Sequence, residues 1–254
     1  MKITFLGTGT STGVPQLGCD CEVCRSTDPK DRRLRTSAML DVNDHLRILI
    51  DCGPDFRQQM LTYGFKPFQA VLITHEHYDH VGGLDDLRPY SLLGRMPVYA
   101  DQLCATHLRE RLPYCFAEKL YPGVPQIDLQ VATPGESFQV GEVKVTPLLA
   151  IHGKLPILGY RVGEVGYLTD VTEIPPETEA ALMDIPFLVV NALRYTPHHS
   201  HQTVGQALAM AEKLRAGQVY LVHMSHQIGL HAKVESTLPE NVHLAYDGLT
   251  VNCD

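Results

Sequence analysis

His75-Glu76-His77-Tyr78-Asp79-His80 puts three imidazoles and a carboxylate able to bind metal into six residues. The stretch follows the apolar, β-rich run Ala70-Val71-Leu72-Ile73-Thr74 and precedes Val81-Gly82-Gly83-Leu84. It therefore reads as a loop that leaves a buried strand and enters a helix. Such strand ends are where α/β folds place their chemistry. The competing reading is a solvated polar loop. It is the poorer one, because crowded imidazoles repel once protonated and need partners once desolvated.

Outward from this stretch, three more candidates stand behind plausible strands. His152 follows Val145-Thr146-Pro147-Leu148-Leu149, Asp170 follows Gly166-Tyr167-Leu168-Thr169, and His223 follows Val219-Tyr220-Leu221-Val222. The spacing His-x-His-x-Asp-His, with these later residues in this order, resembles the signature of the metallo-β-lactamase-fold hydrolases. The resemblance implies that His75, His77 and His152 hold one divalent ion, that Asp79, His80 and His223 hold a second, and that Asp170 bridges them. Imidazole suits Zn²⁺ and added carboxylate favours harder ions, so two catalytic ions drawn from Zn, Mn or Fe are expected. Two cations about 3.5–4 Å apart can acidify a shared water and stabilise an oxyanion. Asp51, in Leu49-Ile50-Asp51-Cys52-Gly53, matches a family position that supports the metal loop, and reads equally well as a turn aspartate before glycine.

A second cluster narrows the family. Cys19-Asp20-Cys21-Glu22-Val23-Cys24 brings three thiols into six residues, whereas Cys52, Cys104, Cys115 and Cys253 are scattered. Seven cysteines is an odd number, and Met1-Lys2-Ile3-Thr4-Phe5-Leu6 has no apolar signal-peptide core, so a cytoplasmic protein without a disulfide framework is expected. Thiolates at this spacing suit one structural Zn²⁺ with a fourth ligand, for which His226 in His223-Met224-Ser225-His226 is the candidate. Cys-x-Cys-x-x-Cys joined to a late His-x-x-His resembles the PhnP phosphodiesterase family. That resemblance spans the chain from Gly7-Thr8-Gly9-Thr10 to Asp247-Gly248. It implies that His223 and His226 serve different metals from one short loop.

Candidate ligands from Cys19 to His226 must converge, which argues for one α/β domain over 1–254. With 44% hydrophobic residues the chain can fill a core, and no run approaches the roughly 18–20 apolar residues of a membrane span. The formal charge of −8 opposes a nucleic-acid partner. Lys30-Asp31-Arg32-Arg33-Leu34-Arg35, the dense basic cluster, reads as a solvated loop face rather than a phosphate site. The family resemblance makes a homodimer the expected assembly.

Strands are expected at 2–6, 46–50, 69–74, 97–100, 138–140, 143–149, 158–162, 165–169, 187–191, 218–223 and 243–246. Helices are expected at 55–63, 102–112 and 203–215. Residues 113–135, with four prolines, read as an irregular excursion near the site, and no internal repeat is evident. The four-layer αββα sandwich is what the resemblance implies.

Pro197-His198-His199-Ser200-His201-Gln202-Thr203 sets three imidazoles before the last helix. Relatives carry His-x-Thr-x-x-x-Ala there, matched by His201, Thr203 and Ala207. The resemblance implies that His201 contacts phosphate or protonates the leaving oxygen, with His198 and His199 as alternatives. The expected activity is hydrolysis of a small phosphodiester, cyclic nucleotide or ribose phosphate included, at a binuclear centre. A lactonase or thioester hydrolase is the first alternative. A tRNA-processing endonuclease is the second, against which Tyr78 stands where those enzymes resemble His-x-His-Gly-Asp-His. A non-hydrolytic cofactor-biosynthesis protein is the alternative from another class.

Overall fold

Alternation of side chains between two apolar environments builds the centre of the molecule, whose computed structural model describes residues 1–253. Lys2–Gly7 (β1), Ser37–Asp41 (β2), Arg47–Ile50 (β3), Ala70–Leu72 (β4), Met96–Ala100 (β5) and Ile127–Val131 (β6) lie side by side in that order. The last strand of the chain, Thr250–Asn252, lies on the outer side of β1. A second sheet holds Phe138–Val140 (β7), Val143–His152 (β8), Leu155–Val162 (β9), Val165–Leu168 (β10), Phe187–Asn191 (β11), Gln218–Val222 (β12) and Val242–Leu244 (β13), again in order.

Ile48 and Ile50 face the space between the sheets while Leu49 faces outward, and in β11 Val189 faces inward while Leu188 and Val190 face outward. This period of two leaves each sheet apolar on both sides. The outer face of the first sheet is covered by Phe56–Tyr63 (α1), Tyr78–Val81 (α2), the 3₁₀ segment Leu84–Leu93 and Gln102–Arg111 (α3). The second is covered by Pro176–Leu182 (α4), Val204–Lys213 (α5) and His231–Glu235 (α6). The result is the αββα sandwich. Each buried Leu, Ile or Val contributes roughly 1.5–3 kcal/mol of burial to holding the layers together.

In both sheets three antiparallel pairings are followed by three parallel ones. The two halves therefore repeat one wiring that the residues themselves do not display. Asp51 follows β3 and Asp170 follows β10, the equivalent strand. α5 starts on a capping box: Thr203 Oγ1 accepts from the Gln206 amide at 3.2 Å, and Gln206 Oε1 accepts from the Thr203 amide at 2.9 Å. The cap fixes where the 198–201 loop ends.

Two expectations need correction. Residues 113–135 are not all irregular, because β6 closes the edge of the first sheet; its flanking prolines conceal a strand with exposed outer positions. The basic cluster is not simply a solvated face either. Arg33 is 1% exposed, and burial lowers its guanidinium pKa against the opposing charges of Asp31 and Asp247. Strands β2 and β6, the last strand, and helices α4 and α6 were not foreseen as elements, and the helix expected after the His75–His80 stretch starts within it, as α2.

Candidate metal centre and active site

The loops after β3, β4, β8, β10 and β12 converge at one end of the sandwich. Asp51, Asp170 and His223 leave their strands in the left-handed region, with φ of 60°, 61° and 56°. Among the described residues only two other non-glycine residues have positive φ. This turns each side chain back across its strand end into the site. Gly53 is required for a different reason: a Cβ there would stand 2.1 Å from the Asp79 carbonyl oxygen.

Asp51 resolves in favour of support. It is fully buried and accepts from the Thr74 amide at 2.8 Å, from Thr74 Oγ1 at 2.9 Å and from His80 Nδ1 at 2.7 Å. Thr74 Oγ1 has one hydrogen and directs it at Asp51, so His75 Nδ1, 3.0 Å away, is the donor to Thr74. His152 Nδ1 donates to the Ser200 carbonyl at 2.7 Å. Three rings thus have their Nδ1 hydrogens engaged behind the site, and their Nε2 atoms turn into it.

His75 Nε2 lies 2.9 Å from His77 Nδ1, and the other groups that face these Nε2 atoms are carboxylates. His80 Nε2 lies 3.2 Å from Asp79 Oδ2 and 3.5 Å from Asp170 Oδ2, and His223 Nε2 lies 3.1 Å from Asp170 Oδ1 and 3.3 Å from Asp79 Oδ2. Asp170 Oδ2 is also 3.7 Å from His75 Nε2, 4.0 Å from His152 Nε2 and 3.9 Å from His201 Nδ1. His80 Nε2 is buried without a hydrogen-bond partner. An imidazole lone pair aimed at a carboxylate repels it unless positive charge, a proton or a metal ion, stands between. The titration directions agree. Burial opposes both shifts, yet Asp79, Asp51 and Asp170 pull His80 toward its charged form, and His223, His80 and His75 hold Asp170 well below the usual carboxylate range.

One atom each of His75, His77, His152 and Asp170 lies within 4.8 Å of the others, and the same holds for Asp79, His80, Asp170 and His223. Either group could hold a divalent cation, and a His and Asp donor set fits Zn, Mn or Fe. Asp170 belongs to both groups.

Cys19, Cys21, Cys24 and His226 form a third such group, with His226 Nδ1 3.3 Å from Cys21 Sγ and 3.7 Å from Cys19 Sγ. The Cys24 amide, donating to Cys21 Sγ, leads the effects that hold the Cys21 thiol down at about 6, while burial pushes Cys24 up to about 11. A Cys₃His set suits tetrahedral zinc. His223 and His226 stand three residues apart and face different clusters.

His201 lies beside the metal-type cluster, stacked on His223 at 4.9 Å and tilted against His152 at 4.8 Å, with Nδ1 buried and unpartnered. Burial lowers its pKa to about 3. Burial thus favours the neutral ring. Other supporting groups were not legible in sequence. Thr74 and Ser200 act through a hydroxyl and a carbonyl. From α3, Arg111 Nη1 donates to the Glu76 carbonyl, and His107 Nδ1 lies 3.4 Å from the Glu76 carboxylate. The clamp holds the residue between His75 and His77.

The model of the Beta-lactamase superfamily domain matches residues 46–224. A crystal structure of a new diphosphatase from the PhnP family superposes with a TM-score of 0.91 at 40% identity, covering 98% of this chain and 96% of that one. Zn(2+)-bound PqqB from Methylobacterium extorquens shares the fold, with a TM-score of 0.77 at 17% identity, covering 99% of this chain and 100% of that one. An octanoyltransferase of Porphyromonas gingivalis is 46% identical over 255 residues, covering 100% of this chain and 52% of that protein. This chain thus spans about half the length of that curated relative.

Proposed function

Because this chain belongs to the beta-lactamase superfamily of metal-dependent hydrolases, and within it to the PhnP family, we propose that it is a binuclear phosphoric ester hydrolase acting on small phosphodiesters or phosphoric anhydrides. The observation that carries the reading is Asp170, one carboxylate shared by two ligand groups and faced by five imidazoles. In it His75, His77 and His152 hold one ion, Asp79, His80 and His223 the other, and Asp170 both; Cys19, Cys21, Cys24 and His226 hold a structural zinc. Two such cations supply an acidified water and neutralise charge on a phosphoryl group.

The remaining steps belong to side chains of this chain. Asp51, Thr74 and the Ser200 carbonyl hold the Nδ1 hydrogens of His80, His75 and His152 away from the site, which leaves their Nε2 atoms to face it. His201 enters neutral and offers an N–H to a phosphoryl oxygen. The negative charge of a bound phosphoryl group raises its proton affinity, which prepares it to hand a proton to a departing oxygen. The name of the octanoyltransferase relative covers a protein about twice as long as the match. Acyl transfer through a thiol at the His and Asp cluster is poorly served, since Cys52, next to Asp51, is fully buried and burial pushes its thiol well up.

The test is a panel of alkyl diesters, nitrophenyl diesters, diphosphates, lactones and thioesters with the metal-loaded protein and His201→Ala. General-acid help is worth about 10²–10⁴-fold. The variant should lose that much on alkyl diesters, far less on nitrophenyl diesters, and keep its metals. Lactone or thioester turnover above every phosphoryl substrate would overturn the reading.

A further inference from the structure

We propose that His198 is a specificity-determining residue that binds the substrate beyond His201 and selects molecules whose departing group carries a phosphoryl group of its own. The inference rests on the phosphoryl-hydrolase reading and names its substrate class.

The imidazoles form a line leading out of the centre. His201 stacks on His223 and packs tilted against His152 on its inner side, its ring centroid lies 5.1 Å from that of His198, and His199 lies 4.3 Å from His198. His201 is 12% exposed at its side chain, His198 is half-buried and His199 is exposed, so the line runs from interior to solvent. Ser200 sets the orientation of the outer ring. Its amide donates to His198 Nδ1 at 3.3 Å, while its carbonyl accepts from His152 Nδ1. With Nδ1 accepting, the hydrogen of the neutral His198 ring sits on Nε2. Among the described residues Nε2 has no hydrogen-bond partner.

The surrounding charge defines what this donor is for. In a chain of formal charge −8, Ala192–Thr203 carries Arg194, His198, His199 and His201 and no acidic residue. Arg194 is tied to the Thr196 and Pro197 carbonyls and to Gln227, which fixes the loop and keeps its charge near His198. A neutral alcohol leaving group would gain little from such a lining. A second phosphoryl group, one bridging oxygen from the first, would meet the His198 donor as the first meets His201. In its hydrolysis the oxygen of water bonds to phosphorus and the bond to the bridging oxygen breaks. The electron pair goes to the departing phosphate; one water proton stays on the new hydroxyl at phosphorus and the other passes to solvent or to the departing oxygen.

The experiment compares a dinucleoside diphosphate with methyl nitrophenyl phosphate, using the metal-loaded full chain, His198→Ala and His198→Asn. A hydrogen bond to a charged group carries roughly tenfold or more in binding. In His198→Ala the ratio of kcat/KM for the diphosphate over the simple diester should fall about tenfold, chiefly through KM, and His198→Asn, which keeps a donor, should recover part of it. Binding of an uncleavable dinucleoside methylenebisphosphonate should weaken in the same proportion. Equal losses on both substrates, or loss of metal from His198→Ala through Ser200 and His152, would overturn the assignment. Should the wild type turn over neither substrate, the hydrolase reading falls, and binding of the bisphosphonate still decides the role of His198.

Discussion

Asp51→Asn isolates the step on which the metal centre depends. The substitution keeps the size of a fully buried side chain but turns one acceptor oxygen into a donor. One oxygen of Asp51 receives the Thr74 amide at 2.8 Å, and the other receives His80 Nδ1 at 2.7 Å and Thr74 Oγ1 at 2.9 Å. The backbone amide cannot turn away, so the new NH₂ settles against His80, whose ring then moves its hydrogen from Nδ1 to Nε2. That hydrogen points at Asp79 and Asp170, 3.2 and 3.5 Å away, and removes the lone pair a cation would use. Losing the partner that orients a metal-binding imidazole costs 10–100-fold in affinity, about 1.4–2.8 kcal/mol. Titrating metal-free protein with zinc or manganese against a coloured chelator measures this directly, and circular dichroism reports that the fold persists. Unchanged affinity and stoichiometry in Asp51→Asn would refute the tautomer argument.

Cys21→Ser replaces the readiest thiolate of the Cys₃His group with a hydroxyl; it should lose one zinc per chain and lower the thermal midpoint by about 5–10 °C. Retention of both would remove the zinc from that cluster. Asp247 gives a pH prediction. Burial raises its pKa from 3.8 to about 7, so between those values the folded protein binds a proton that the unfolded chain has lost. Stability from this group is therefore full below pH 4 and falls as pH rises toward 7, by at most about 4 kcal/mol. The urea-unfolding difference between wild type and Asp247→Asn should change across this window, and a flat difference would contradict it.

The residues that the structure brings into the candidate site were legible because metal-type side chains are scarce and stand at strand ends: His152, Asp170 and His223 could be named from the β runs before them. Residues that act by position were not. Ser200 contributes a carbonyl and an amide, which every residue has. Thr74 contributes a hydroxyl whose meaning depends on Asp51 lying across from it. Arg33 sits in a charged run that resembles a solvated face, and only the fold folds that run inward beside Asp31 and Asp247. β2 was missed because Ser37-Ala38-Met39-Leu40-Asp41 is short and carries no β-branched residue, so its pairing with β1 and β3 decides it. The doubled wiring of the sheets was hidden for a related reason: it lies in the order of pairing, while Asp51 and Asp170 share a place and have different neighbours.

The left-handed turns at Asp51, Asp170 and His223 make the thermal midpoint a gauge of loading. A side chain in that region costs roughly 1–2 kcal/mol, so the three together cost roughly 3–6 kcal/mol, a sizeable part of the 5–15 kcal/mol that holds a domain folded. Without cations, like charges and opposed lone pairs add to that cost; with cations, binding energy offsets it. A glycine at any of these positions would relax the backbone and raise the stability of the empty protein while deleting the side chain the site needs. Selection for heat resistance alone would therefore drift toward proteins that fold better and bind less metal.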